Sequence, residues 1–428
     1  MTNDSQNGNG TRVEYEPYHG EELDMNVDDI RAEFQRKGLV GERYSGLKQL
    51  AQGGMGLVYT AHDIGLERNT VLKVISPEAF SNADLLTRFI EEARITGQLE
   101  HPNIVPVHDI GVLGGDQIYF SMKYIKGREL REIIESVRLN EGADGEDRDD
   151  TPSLFALLTI FRKVCDAVAY AHSQGVIHRD IKPDNIMVGN YGEVLLADWG
   201  LARRKGAPPE KPHGPGEEKF LDGSGSGSVT RTRFGIIKGT PAYMAPEMAL
   251  GEVERVDERS DIFLLGATLY AVATLEAPYT DEGPDDIYQI LQRAENVDFV
   301  PPAERAPERQ IPPELERIIL KAMAAESDDR YQNVGELAQD IDDLMAGRAD
   351  SVRRIFRADE HLMREGEPGY HAYVIVSGEV EVYKTVENKH MSIVRLGPGS
   401  TVGEMALIDN AVRSASVVAL EDTEVIVI

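Results

Sequence analysis

Between Leu50 and Lys73 the chain reads LAQGGMGLVYTAHDIGLERNTVLK. Gly53 and Gly56 permit the close backbone approach that a triphosphate requires, and Lys73 follows downstream. Taken alone, glycines in a strand turn read first as an ordinary hairpin. Further along, Asp180, Asn185 and Asp198 stand in polar, loop-like sequence, where single residues of these types cap helices or shape turns. Chemistry is implied only if these residues occur as parts of one ordered set.

They do. The chain carries, in order, the glycine-rich stretch, VLK at 71–73, EA at 92–93 in a helical pattern, HRDIKPDN at 178–185, DWG at 198–200 and APE at 245–247. On these motifs it resembles the protein kinase family, of the bacterial serine/threonine (Hanks) type. The resemblance implies an α+β, bilobal fold, with a small β-rich lobe and a larger helical lobe. It implies a protein serine/threonine kinase that uses ATP with Mg2+ or Mn2+ on protein substrates. Leu50, Ala51, Gln52, Gly53, Gly54, Met55, Gly56, Leu57 and Val58 would cover the nucleotide, with Met122 and Tyr124 bordering the adenine. Lys73 would hold the α and β phosphates and Glu92 would orient it. Asp180 would be the catalytic base, and Asn185 and Asp198 the metal ligands. Lys182 matches the residue that approaches the γ-phosphate in serine/threonine kinases. Glu247 and Arg330 match a buried pair, and Asp261 would brace the catalytic loop.

Three departures stand out. Ala51 replaces the first glycine of the loop, Trp199 replaces the usual phenylalanine, and the segment from Asp198 to Glu247 is stretched by a Gly/Ser-rich insert. Trp199 keeps a large apolar plug and is the chain's one tryptophan. In the stretched segment, Ser228, Thr230 and Thr232 are candidate phosphosites, with Arg179 as the cation that would bind the phosphate. Thr240 is expected to serve the catalytic loop rather than a switch.

Residues 352–428 resemble a cyclic-nucleotide-binding β-roll, above all in GEMALIDNAVRSAS at 403–416. The resemblance implies that Gly403, Glu404 and Arg413 contact a cyclic nucleotide, cyclic AMP or cyclic GMP. Val412 stands where a proline is common, and the helices that normally close over the base do not follow VIVI. Affinity is then expected to be weak unless a partner chain supplies the lid, and a docking or homodimer role is the alternative. A pseudokinase scaffold and a cyclic-nucleotide-responsive binding module are the competing functional readings.

Short strands (LKQLA, GLVYTAHD, TVLKVI) must position the glycine loop and Lys73, and a helix from Asn82 to Leu99, capped at Ser81, must carry Glu92. Helical periodicity then dominates at Leu154–His172, Asp261–Thr274, Asp285–Glu295, Pro313–Ala325 and Val334–Met345. Two stretches, 140–150 and 205–228, read as loops. The domain reading is an extension at 1–43 with one candidate helix at Val27–Lys37, a kinase domain at 44–345, a linker at 346–351 and the β-roll at 352–428.

The 428 residues carry a formal charge of −29, from 74 acidic and 45 basic side chains, which argues against a nucleic-acid partner. Cys165 sits in an apolar helical pattern and has no partner for a disulfide. LLGATLYAVATL is too short to span a membrane and the N-terminus lacks a signal pattern, so cytoplasmic residence is the expectation.

Overall fold

The computed structural model describes residues 43–52, 56–113, 117–141, 152–207, 230–232, 235–237, 240–280, 286–346, 353–367, 372–386, 389–403 and 412–427. Gly53, Gly54, Met55, Ser228 and Glu404, and the extension helix at Val27–Lys37, lie outside them.

The first lobe is a five-stranded antiparallel sheet in the order β1-β2-β3-β5-β4. Its strands are β1 (Tyr44–Gln52), β2 (Gly56–Asp63), β3 (Arg68–Ile75), β4 (Val107–Leu113) and β5 (Gln117–Lys123). Between β3 and β4 come α1 (Pro77–Ser81) and α2 (Ala83–Gln98). Ser81 does not cap the long helix: it ends α1, and its hydroxyl donates to the Pro77 carbonyl at 3.0 Å. The cap is Asn82, whose Oδ1 accepts from the amides of Asp84 (2.9 Å) and Leu85 (3.2 Å). The apolar stripe of α2, Leu86, Phe89, Ile90 and Ala93, buries against Ile118 and Phe120 of β5. Glu92 lies on the same buried side.

Gly56 has a local reason to be glycine. A Cβ there would stand 2.4 Å from the Val74 carbonyl oxygen of the paired strand, so β2 and β3 close only without a side chain.

The second lobe begins with β6 (Gly127–Glu129), α3 (Leu130–Glu141) and α4 (Leu154–Ser173). The acidic run expected as a loop thus starts inside α3. Next come β7 (Val176–Ile177), β8 (Ile186–Gly189), β9 (Val194–Leu196) and β10 (Arg203–Arg204). An unanticipated hairpin follows, β11 (Thr230–Thr232) with β12 (Gly235–Ile237). The helices α5 (Pro246–Ala249), α6 (Glu258–Thr274), α7 (Ile287–Asn296), α8 (Pro302–Arg305), α9 (Pro313–Ala322) and α10 (Val334–Met345) complete the lobe.

Helix α6 is buried on nearly every side, as an apolar helix at the centre of a lobe must be. It opens at Glu258, capped by Asp257, so Asp261 sits one turn inside it rather than at its start. Gly266 lets α9 approach: a Cβ there would meet Ala322 at 2.7 Å and Met323 at 2.8 Å. Cys165 is buried in the core, which pushes its thiol pKa up. Among the described residues, no helix is long and apolar enough to cross a membrane.

The C-terminal segment forms two four-stranded sheets, β13-β20-β15-β18 and β14-β19-β16-β17. The strands are β13 (Arg353–Phe356), β14 (His361–Met363), β15 (Tyr373–Ser377), β16 (Val380–Val386), β17 (Lys389–Leu396), β18 (Thr401–Val402), β19 (Ser416–Ala419) and β20 (Thr423–Val427). Inward residues at alternate positions, among them Ile375, Val380, Val417 and Val425, make one core between the sheets.

Candidate active site

Lys73 leaves the middle of β3 and meets Glu92 of α2, Nζ to Oε1 at 2.6 Å. The same ammonium stands 3.4 Å from Asp198 Oδ1. Burial works against the Lys73 charge, but the Glu92 and Asp198 carboxylates more than offset it and hold its pKa above the usual range. Lys73 in turn holds the Asp198 carboxyl below its ordinary value. Both groups are therefore charged at neutral pH.

The opposite wall is the loop after β7. Asp180 Oδ2 accepts from Lys182 Nζ at 3.1 Å and from Asn185 Nδ2 at 3.1 Å, and Asn185 Nδ2 also donates to the Asp180 carbonyl at 2.7 Å. The Thr240 hydroxyl donates to Asp180 Oδ1 at 3.3 Å and accepts from Lys182. Thr240 thus bonds two residues of that loop, Asp180 and Lys182. Burial lowers the Lys182 pKa, but Asp180 outweighs that and the net shift is upward.

Two residues here hold left-handed backbone without being glycine: Arg179 (φ 68°) and Asp198 (φ 56°). Such conformations cost about 1–2 kcal/mol each and need support from their surroundings. For Arg179 the support is Asp261 of α6, which is fully buried. Its two oxygens accept from the His178 and Arg179 amides, each at 2.8 Å, and Oδ2 also accepts from His172 Nε2 at 2.8 Å. Burial disfavours the Asp261 charge, yet the bonds from His172 and His178 hold its carboxyl below the usual range. His172, at the end of α4, was not singled out in the sequence, and no local pattern there marks it.

The support for Asp198 is Trp199, which is 1% exposed. Its ring packs on His178 with centroids 4.4 Å apart, and its Nε1 donates to the Leu196 carbonyl at 3.4 Å. His178 accepts the Asp180 amide at Nδ1 (3.2 Å), so the neutral ring carries its proton on Nε2, facing the Ala197 carbonyl at 3.3 Å. Burial lowers the His178 pKa and favours that neutral form. One buried ring thus joins the Asp180 loop to the Asp198 loop. The aromatic at 199 is more than an apolar plug, because its N–H is used.

Arg179 Nε donates to the Leu201 carbonyl at 2.6 Å. Burial, with the like charges of Arg203 and Arg88 nearby, brings its pKa down to about 10. Thr230 and Thr232 fall on β11, whose backbone alone is described. Met122 lies on β5, with its carbonyl accepting from the Thr70 hydroxyl at 2.9 Å, and packs between the cores of the two lobes. Leu50, Ala51 and Gln52 end β1, where Ala51 pairs with Val58 and Gln52 with Leu57. Glu247 and Arg330 form a buried bidentate pair, both contacts 2.9 Å.

In the β-roll, Arg413 is buried and its Nη1 donates to the Gly403 carbonyl at 2.9 Å. Burial lowers its pKa. Gly403 is left-handed at φ 88°, as a glycine readily is.

This bilobal arrangement, with its facing Lys73–Glu92 and Asp180–Lys182 walls, goes with a family match: residues 44–340 fit the protein kinase domain, and the chain belongs to that family. Residues 353–428 match the cyclic nucleotide-binding domain. Among curated proteins the chain is similar to the serine/threonine-protein kinase PknD of Protochlamydia amoebophila, 38% identical over 312 residues, which are 72% of this chain and 30% of that protein. It is also similar to PknD of Chlamydia trachomatis, 40% identical over 308 residues (72% and 32%), and of Chlamydia muridarum, 39% over 317 residues (73% and 32%). The chain thus spans about a third of the length of these relatives.

Proposed function

We propose that this chain is an ATP-dependent protein serine/threonine kinase. The observation that carries the reading is the pair of facing charged walls: Lys73 tied to Glu92 and Asp198 on one, Asp180 tied to Lys182, Asn185 and Thr240 on the other. Phosphoryl transfer asks for positioning and charge compensation more than covalent chemistry, and these residues supply both.

In this reading Lys73 binds the α and β phosphates, held in one rotamer by Glu92. The substrate Ser or Thr oxygen attacks the γ-phosphorus, a new O–P bond forms, and the bond to the β–γ bridging oxygen breaks, its electron pair leaving with ADP. Asp180 orients the attacking hydroxyl and receives its proton, and Lys182 balances the charge on the transferring group. A divalent cation, Mg2+ or Mn2+, would neutralise phosphate charge. The donor chemistry fits a hard ion: Asp198 presents a carboxylate half exposed to the cleft, and Asn185, which donates through Nδ2, has Oδ1 to offer. Among the described residues, no group of three or more His, Cys, Asp or Glu could hold a metal ion by itself.

Phosphate transfer from labelled ATP, followed by phosphoamino acid analysis, tests the reading. Label on phosphoserine or phosphothreonine in wild type and its loss in Asp180→Asn are expected; equal incorporation in the two would refute the assignment.

Regulation enters twice. Phosphorylation at Ser228, Thr230 or Thr232 would bring an anion to the Arg179 region, where Arg203 and Arg88 add positive charge. Phosphosite mapping after incubation with Mg-ATP is expected to find a site between 224 and 240, and finding none there would end that proposal. Gly403, Glu404 and Arg413 would bind a cyclic nucleotide that tunes the kinase. Calorimetry with cyclic AMP and cyclic GMP is the test, and no heat with millimolar ligand would remove it.

A further inference from the structure

Beside the Asp180 loop lies a charged group that the transfer reaction does not use. Arg131, at the start of α3, places Nε 2.9 Å from Asp184 Oδ1 and Nη2 3.5 Å from Glu129 Oε2. Asp184 belongs to the one-turn helix Pro183–Asn185 that also carries Asn185, and Glu129 reaches it from β6, paired with β8. The charges of Asp184 and Arg131 both reach the Tyr243 phenol, and Tyr243 closes the turn that begins at Thr240. The group therefore flanks the place where an acceptor hydroxyl must meet Asp180. An extended peptide advances about 3.3–3.6 Å per residue, so a side chain close in sequence to the acceptor comes within reach of it.

The balance of charge is lopsided. Burial and the nearby carboxylates of Asp184 and Glu132 push the Glu129 carboxyl up, with Arg131 pulling the other way. Two carboxylates, Asp184 and Glu129, contact one guanidinium of this chain, and that guanidinium shows which chemistry the place accepts. Arg131 is itself 57% exposed at its side chain, against 36% for Glu129 and 29% for Asp184.

We infer that Arg131 is a specificity-determining residue: its guanidinium occupies the Asp184–Glu129 carboxylates and so withholds them from a basic residue flanking the substrate's Ser or Thr. The inference rests on the kinase reading and deepens it by naming a substrate class, hydroxyl peptides without a flanking cation at this place. An exposed ion pair is a weak competitor, so the filter is modest, a bias of about two- to fivefold rather than an exclusion.

The test is a positional library of Ser and Thr peptides in which Gln is exchanged for Arg at each flanking position in turn, phosphorylated by the full chain. Wild type is expected to use Arg and Gln peptides nearly alike. R131Q is expected to gain about two- to fivefold for Arg over Gln at one or two positions, with Gln peptides turned over as in wild type. Adding D184N to R131Q is expected to erase the gain. An R131Q enzyme with no Arg gain anywhere would overturn the proposal. So would a wild type that already selects Arg as strongly, or a gain that survives D184N. A fall in Gln-peptide turnover in R131Q would assign Arg131 to catalysis instead, which also overturns it. Wild-type turnover of the neutral peptides reads the kinase assignment separately in the same experiment.

Discussion

Asp261→Asn is the substitution that best isolates how the catalytic loop is held. The carboxylate serves three donors, the His178 and Arg179 amides and His172 Nε2, all at 2.8 Å, in a fully buried place. An asparagine keeps one accepting oxygen and turns an amide N–H₂ toward a donor. With its oxygen in the Oδ2 place, which serves His178 and His172, the bond from the Arg179 amide is the one lost. Hydrogen bonds to a charged group are worth about 1.5–3 kcal/mol each, so the destabilisation is about 1.5–3 kcal/mol. With the amide of Arg179 released, its left-handed backbone (φ 68°) loses the Asp261 support, and the loop carrying Asp180 relaxes. A displacement of about 1 Å at the base costs roughly 10²-fold in kcat. Lys73, Glu92 and Asp198 are tied to one another rather than to Asp261, so KM for ATP should change by less than about threefold. Urea unfolding and steady-state kinetics read both quantities. The pH dependence adds a sign. A carboxyl whose folded pKa is depressed stabilises fully above its unfolded value, about 3.9, and loses that contribution as pH falls toward the folded value. The variant should lack this acid-side loss. Wild-type stability and kcat in Asp261→Asn, or a loss that falls on KM for ATP alone, would refute the reasoning.

Arg330→Met strips the partner from buried Glu247 and should cost about 3–5 kcal/mol in denaturant unfolding, with part recovered in Glu247→Met/Arg330→Met. An exposed-pair value below about 1 kcal/mol would contradict the burial argument. Trp199→Phe removes the Nε1 bond to Leu196 and should lower stability by about 0.5–1.5 kcal/mol. Because Trp199 is the single tryptophan and adjoins Asp198, its fluorescence should respond to saturating Mg-ATP; an indifferent emission would count against Asp198 as a metal-side residue.

Much of this site was legible because its residues are contiguous. HRDIKPDN places Asp180, Lys182 and Asn185 on one loop, and the covalent chain brings them together. Glu92 was legible as part of the kinase-like motif set, and the apolar stripe of α2 accounts for its inward side. What stayed hidden depends on contacts between distant segments. His172 reaches Asp261 across 89 positions, and a histidine at a helix end looks the same with or without that partner. The Trp199 indole N–H was unreadable for a different reason: its acceptor, three residues away at Leu196, is a backbone carbonyl, a group every residue has. Gly56 carries a second reason to be glycine that the sequence does not display, since the Val74 carbonyl of the paired strand excludes a side chain there. The cap of α2 was displaced from Ser81 to Asn82 because Ser76 and Pro77 start a separate short helix, which a window seeking one long helix absorbs. The five-stranded sheet was seen only through its first three strands; β4 and β5 are short apolar runs that helix and strand patterns share.

The most direct test pairs nucleotide binding with transfer in Asp180→Asn. If Asp180 serves the acceptor hydroxyl while Lys73 and Asp198 serve the nucleotide, the variant should bind Mg-ATP within about threefold of wild type and lose about 10²–10⁴-fold in the rate of transfer to Ser or Thr. Transfer at the wild-type rate, or no transfer from wild type itself despite tight Mg-ATP binding, would contradict the assignment of this chain as a phosphotransferase.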